Sequence, residues 1–288
     1  MVTRESIIEK LCEKGYKAEP TDITKNGVLL KAIIMGEGKI RPTIYVDTYE
    51  TYTERFLDKI VAEIIAVYEQ SKEEFTAANI PDNLCDWDFI KTRLQLCIQK
   101  QSEEDIVKRK FLDMEQYIRV ALDEEHSFKI KESFLKNIGV DEDTLFVTAW
   151  ELTKPTLVTI DMMEIMSQLM KLDAADLQEL QEVAPEISQE IIITNQTKMF
   201  GAVAICNKEL LAKIAEKYEA DLIILPSSIH ECIVIPVLES ILGDKVNSNV
   251  LKEFSNMVSE VNATEVPQDI QLTDHAYKYI RGTQEIIY

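Results

Sequence analysis

Hydrophobic residues recur at helical spacing at the start of the chain. Ile7, Ile8, Leu11 and Cys12 share that period across residues 3–14, and Gly15 supplies a stop. Lys25-Asn26-Gly27 is the strongest hairpin signal, because a tight primed turn needs positive φ. A strand is predicted over 28–35 and another over 40–46, where Pro42 sits near the start and its missing donor is tolerated. Phe56, Ile60, Ile64, Val67 and Tyr68 predict a helix over 54–74. A short helix is expected near Asp82. Residues 93–99 alternate as a strand, and 112–122 read as another of mixed periodicity. Helices are expected at 131–137, 142–152 and 160–183.

The C-terminal part is richer in short apolar or β-branched runs. Strands are predicted at 191–194, 202–206, 222–225 and 232–235, with helices at 208–218 and 248–261. Residues 277–281 and 285–288 flank Gly282 as a closing hairpin. Residues 199–281 therefore spell β-α-β-β-α-β, the order of a ferredoxin-like unit, with both helices expected on one face of the sheet. Strands in consecutive groups favour antiparallel pairing, so the fold class is α+β. Thr153-Lys-Pro-Thr156 is the best boundary, giving domains 1–153 and 154–288, with one continuous domain as the alternative.

Charge narrows the partners. The 288 residues hold 31 Lys and Arg against 51 Asp and Glu, a net charge of −20. That argues against broad binding to nucleic acid or an anionic membrane. The five cysteines form no C-x-x-C pair, no apolar run is long enough to span a membrane, and no signal peptide is visible. A reducing cytoplasm is the expected location.

The segment Pro226-Ser227-Ser228-Ile229-His230-Glu231 is the most polar interruption of an apolar stretch. Its chemical reading is a hydroxyl nucleophile, Ser228, with His230 as base and Glu231 beside them. In an extended chain Ser228 and His230 would share a face, about 6.6 Å apart. No glycine marks a nucleophile elbow or an oxyanion donor nearby. The alternative is a turn whose hydroxyls satisfy backbone amides while His230 bonds inside the sheet. A metal site is not expected: adjacent His230 and Glu231 point to opposite faces of a strand, and Asp274, His275 and His126 are the remaining ligands of note.

Several stretches resemble a family of uncharacterised bacterial proteins, mainly from gut Firmicutes, classified as a domain of unknown function. They are Pro42-Thr-Ile-Tyr-Val46, Leu225-Pro-Ser-Ser-Ile-His-Glu231 and Val261-Asn-Ala-Thr-Glu-Val266. Asn26-Gly27-Val28, the Tyr49 and Tyr52 pair and Leu272-Thr-Asp-His-Ala-Tyr277 belong to the same likeness. Glu50 and Arg55 depart from its pattern. The resemblance implies a bacterial cytoplasmic source and supplies no activity. The expected binding positions are Ser227, Tyr49, Tyr52, Asp274 and His275.

Met162, Met166 and Met170 form a helical stripe, read as core, and acidic residues from Asp173 to Glu190 follow without Lys or Arg. No nucleotide-binding glycine loop and no calcium loop is present. The expectation is a soluble accessory protein that binds a protein partner, needs no cofactor and is not an enzyme. The alternative is a hydrolase centred on Ser228, His230 and Glu231.

Overall fold

The computed structural model describes residues 1–37, 41–77, 84–123, 126–170, 190–237 and 244–288. It is α+β, with antiparallel sheets and helices packed on them. The chain divides into two compact units, residues 1–84 with 122–125, and residues 85–121 with 126–288.

The first unit holds α1 (Arg4–Glu13), β1 (Ala18–Lys25), β2 (Val28–Met35), β3 (Thr43–Tyr45) and α2 (Leu57–Ala77). Thr3 caps α1 reciprocally: its hydroxyl accepts from Ser6 N at 3.1 Å, and Ser6 Oγ accepts from Thr3 N at 3.0 Å. Asn26 (φ 51°) and Gly27 (φ 77°) make the two-residue turn between β1 and β2. The sheet order is β1-β2-β3. Ile7, Leu11, Ile33, Ile60, Val61 and Ile64 lie at the centre of its core. Val67, expected inward, is exposed, and Val61 fills the buried stripe of α2 instead.

The second unit begins with the short helix α3 (Trp87–Ile90), capped by Asp86. It continues through β4 (Leu94–Lys100), β5 (Lys108–Phe111), β6 (Met114–Ala121) and β7 (Ser127–Lys129). β6 pairs with β4 on one side, and with β5 and β7 on the other. Leu94, Leu96, Ile98, Ile118 and Val120 share one set of alternate positions and are buried. The helices α4 (Glu132–Ile138) and α5 (Glu142–Thr153) follow. Leu96 N on the outer edge of β4 donates to Thr153 Oγ1 at 2.9 Å, so that edge has a partner.

A six-stranded antiparallel sheet completes the unit. Its elements are β8 (Leu157–Asp161), α6 (Met162–Met170), β9 (Ile191–Asn195), α7 (Lys208–Tyr218), β10 (Asp221–Leu225), β11 (Cys232–Val237), α8 (Asp244–Thr264), β12 (Tyr277–Ile280) and β13 (Glu285–Ile287). The order is β13-β12-β10-β11-β9-β8. The expected strand at 202–206 is a buried 3-10 helix, Gly201–Cys206, and β9 is the first strand of the β-α-β-β-α-β series. Apolar character alone cannot separate a buried turn from a buried strand. The helix expected from residue 160 is preceded by β8. Met163 is the buried methionine of α6, whereas Met162 and Met166 of the expected stripe are half-buried. The side chain of Met170 and the acidic run from 173 to 189 lie outside the described residues.

The helices lie on opposite faces of this sheet, which corrects the one-face expectation. Leu251, Phe254 and Val258 of α8 pack with Ile223, Leu225 and Ile233. Register puts Tyr279 beside Leu222 on the other face, and Glu216 of α7 lies near enough to Tyr279 to raise its phenol pKa, second to burial. Cys232 on that face approaches Ala202 O at 3.8 Å. Handedness supplies the reason. β9 and β10 run parallel with β11 between them, and β11 and β12 run parallel with β10 between them. Both crossovers move the same way across the sheet while their strands point oppositely, so two right-handed connections must use opposite faces.

Candidate functional site

The Ser-Ser-Ile-His-Glu segment is a turn between β10 and β11. The strand begins only at Cys232, after His230, because Ser228 N donates to Glu231 O at 3.3 Å and closes the loop. The hydroxyls of Ser227 and Ser228 both reach Glu231 Oε1, at 3.3 and 3.0 Å. Ser228 Oγ also accepts from His230 N at 3.0 Å. The surrounding chain clamps the turn. Ile229 N donates to Ile270 O at 2.8 Å, and Thr194 Oγ1 donates to His230 O at 2.8 Å. Gly201 sits so close that a Cβ there would lie 2.3 Å from Thr194 Oγ1, 2.5 Å from Asn195 N and 2.8 Å from His230 O.

The His230 ring turns toward Phe200. Its Nδ1 accepts from Phe200 N at 3.1 Å, so the neutral imidazole carries its proton on Nε2. The rings are 5.5 Å apart. Phe200 has a left-handed backbone (φ 59°), which costs a non-glycine residue roughly 1–2 kcal/mol. Asn195 organises the preceding loop: its Nδ2 donates to Met199 O at 2.7 Å, and its Oδ1 accepts from Thr197 Oγ1 at 3.0 Å.

Through Phe200 the turn meets the polar positions of β4 and β6. Register pairs Gln95 with Arg119, Cys97 with Tyr117 and Gln99 with Glu115. Phe200 packs with Cys97, Ile106 and Tyr117. Farther along, a buried network is well satisfied. Gln99 Nε2 donates to Glu115 Oε1 at 2.8 Å, and Ser102 Oγ donates to the same oxygen at 2.7 Å. Lys129 Nζ reaches Gln99 Oε1 at 2.7 Å and Glu104 Oε2 at 2.6 Å, and Lys108 lies 3.4 Å from Glu115. Burial lowers the Lys129 pKa, with Glu104 opposing it. Burial pushes the Cys97 thiol up to about 12, with Arg119 opposing, and raises the Tyr117 phenol.

Arg119 is the exception. It is 7% exposed, yet its Nε and Nη1 have no hydrogen-bond acceptor. Its guanidinium lies 4.0 Å from the Phe200 ring centroid.

The other expected positions go elsewhere. Asp274 Oδ1 accepts from Asn262 Nδ2 of α8 at 2.9 Å. His275 Nε2 is 3.3 Å from Asp113 Oδ2, and its ring lies 4.9 Å from Tyr277 and 5.2 Å from Tyr288. Tyr277 donates its hydroxyl to Asp113 Oδ1 at 2.5 Å, and burial raises its pKa first of all. Tyr49 packs against the core of the first unit, where burial raises its pKa, and Tyr52 is exposed with its ring edge-on to Phe56 at 5.8 Å. The structure thus joins Ser227, Ser228 and Glu231 side chain to side chain, brings in the His230 backbone, and puts Tyr49 and Tyr52 in a separate unit. Among the described residues no three His, Cys, Asp or Glu side chains gather as a metal site requires. Sequence reasoning missed Arg119, Phe200 and Asp113. The nearest signal for Arg119 lay in β6, where it sits between the apolar Ile118 and Val120.

These features belong to a two-unit α+β protein with a polar centre buried in its larger unit. The chain is a member of a family of unknown function (DUF5688), whose sequence model matches residues 2–281. Comparison with curated proteins and with solved structures gave no match.

Proposed function

We propose that the protein acts by binding a protein partner, and that the Ser227–Glu231 segment is structural rather than catalytic. The observation that carries this reading is the bonding of Ser228. Its hydroxyl reaches Glu231 and accepts from the His230 backbone, while the His230 Nδ1 accepts from Phe200. A serine nucleophile needs its proton taken by the imidazole of a base that a third group orients. Here the carboxylate and the imidazole hold the turn and the neighbouring loop. The net charge of −20 supports a partner with a basic surface, which such a field draws in. Five cysteines outside any disulfide support a reducing bacterial cytoplasm. Among the described residues no helix is long and apolar enough to cross a membrane.

The test pairs two measurements. Replacing Ser228 and His230 together by alanine should lower the melting temperature, and a serine-directed fluorophosphonate probe should leave wild-type Ser228 unlabelled. An unchanged melting temperature together with specific labelling at Ser228 would establish the hydrolase reading instead.

A further inference from the structure

We propose that Arg119 is the anchor of a binding site for a small oxyanion, a carboxylate or a phosphate, on the polar side of β4 and β6. This is independent of any protein partner.

The argument starts from local charge. In a chain of net charge −20, the group around the polar face holds three cations, Lys108, Lys129 and Arg119, against two carboxylates, Glu104 and Glu115. Two ion pairs use both carboxylates. Lys129 takes Glu104 at 2.6 Å, and Lys108 takes Glu115 at 3.4 Å. Arg119 is left as a buried cation with no carboxylate among the described residues, and Nε and Nη1 have no acceptor. An unpaired buried charge is strongly unfavourable unless something compensates it.

Phe200 compensates only part. Stacked at 4.0 Å, its ring screens the face of the guanidinium. A ring face supplies no hydrogen-bond acceptor in the usual sense, so Nε and Nη1 stay unmet beside it. Phe200 is itself held in its left-handed conformation by the bond from its N–H to His230 Nδ1. Nη2 together with either Nε or Nη1 of Arg119 makes the planar donor fork that suits carboxylate and phosphate bidentately. Half-buried Gln95 pairs with Arg119 across the strands and half-buried Phe200 lies against its guanidinium, so the site has a partly open margin. The Cys97 thiol beside it is held protonated by burial, so it adds no negative charge at neutral pH.

The test is isothermal titration calorimetry of the full chain with sodium phosphate in one arm and sodium acetate in the other, at matched ionic strength. Heat of binding is preferred to melting temperature because phosphate stabilises most proteins by exclusion from their surface. At least one anion should bind saturably at one site, with a Kd on the order of 1 mM. Phosphate alone identifies a phosphorylated ligand; acetate, with or without phosphate, identifies a carboxylate. Arg119→Gln should weaken binding at least about tenfold, and Arg119→Lys, which keeps the charge and loses the fork, should weaken it less. The Lys variant also serves as the reporter if the Gln variant does not fold. Absence of saturable heat with both anions, or undiminished binding in either folded variant, overturns the proposal.

Discussion

The Ser227–Glu231 turn and the polar side of β4 and β6 meet at Phe200, and both put polar groups in an apolar unit. They differ in completeness. In the turn, the Ser227 and Ser228 hydroxyls both bond to Glu231, and the Ile229 and His230 backbones are held by Ile270 and Thr194. On the strands, the Lys–Glu network is closed at one end and Arg119 is left without an acceptor at the other. A buried polar cluster whose members satisfy one another stabilises the chain that carries it. A buried donor with no acceptor weakens that chain until a ligand arrives. The lesson is to look for function at the unsatisfied group, even when the turn is richer in catalytic residue types.

The largest effect should come from Gly201→Ala. The added Cβ meets two main-chain atoms, Asn195 N and His230 O, at 2.5 and 2.8 Å, and neither can swing away. A loss of more than about 3 kcal/mol is expected in urea unfolding, because overpacking against backbone has no cheap relaxation. Near-wild-type stability would mean that the clamp around the turn is loose.

Next comes a direct contrast. Glu231→Ala removes the acceptor shared by two hydroxyls and should cost about 1–3 kcal/mol. Arg119→Met keeps the packing on Phe200, removes the unpaired charge, and should be neutral or stabilising by about 1 kcal/mol. If Arg119→Met proves as damaging as Glu231→Ala, the distinction between closed and open clusters fails.

The smallest effect is a pH dependence. Burial raises the Cys97 and Cys206 thiols to about 12 in the folded chain, against an ordinary value of 9.0. The folded state keeps protons that the unfolded chain releases. This contribution is complete below pH 9 and is lost as pH rises from 9 toward 12. At pH 9.5 the loss per thiol is about 1 kcal/mol or less. Cys97→Ala should flatten the alkaline limb of a urea-midpoint profile; an unaltered limb would show that the thiol ionises freely when folded.

Local chemistry made some elements legible in the sequence. Asn26-Gly27 demands a primed turn wherever it lies between strands, and the alternation over 93–99 places β4 almost to the residue. The run Gly-Ala-Val-Ala-Ile-Cys at 201–206 misleads, because its burial comes from packing under β9 and the turn, not from sheet pairing. The two faces of the six-stranded sheet were not legible either: the element order is local, but the direction of each crossover depends on which strands end up adjacent. Within the candidate site, Ser228 and His230 stood out by residue type. Arg119 did not, because an arginine in a strand is ordinary. Only three dimensions show that the carboxylates farther along that side of the strands belong to lysines.

The interlocked crossovers also set an order of events in time. β9 has no inner neighbour until β11 exists, and among the strands made before it β12 docks on β10. The β10–β11 hairpin is therefore the seed to which earlier and later segments attach, one on each side. As the chain leaves the ribosome, β8 and β9 must wait, with one edge unpaired, until some forty further residues have been made. Such a waiting edge is where a nascent protein meets chaperones or neighbouring copies of itself.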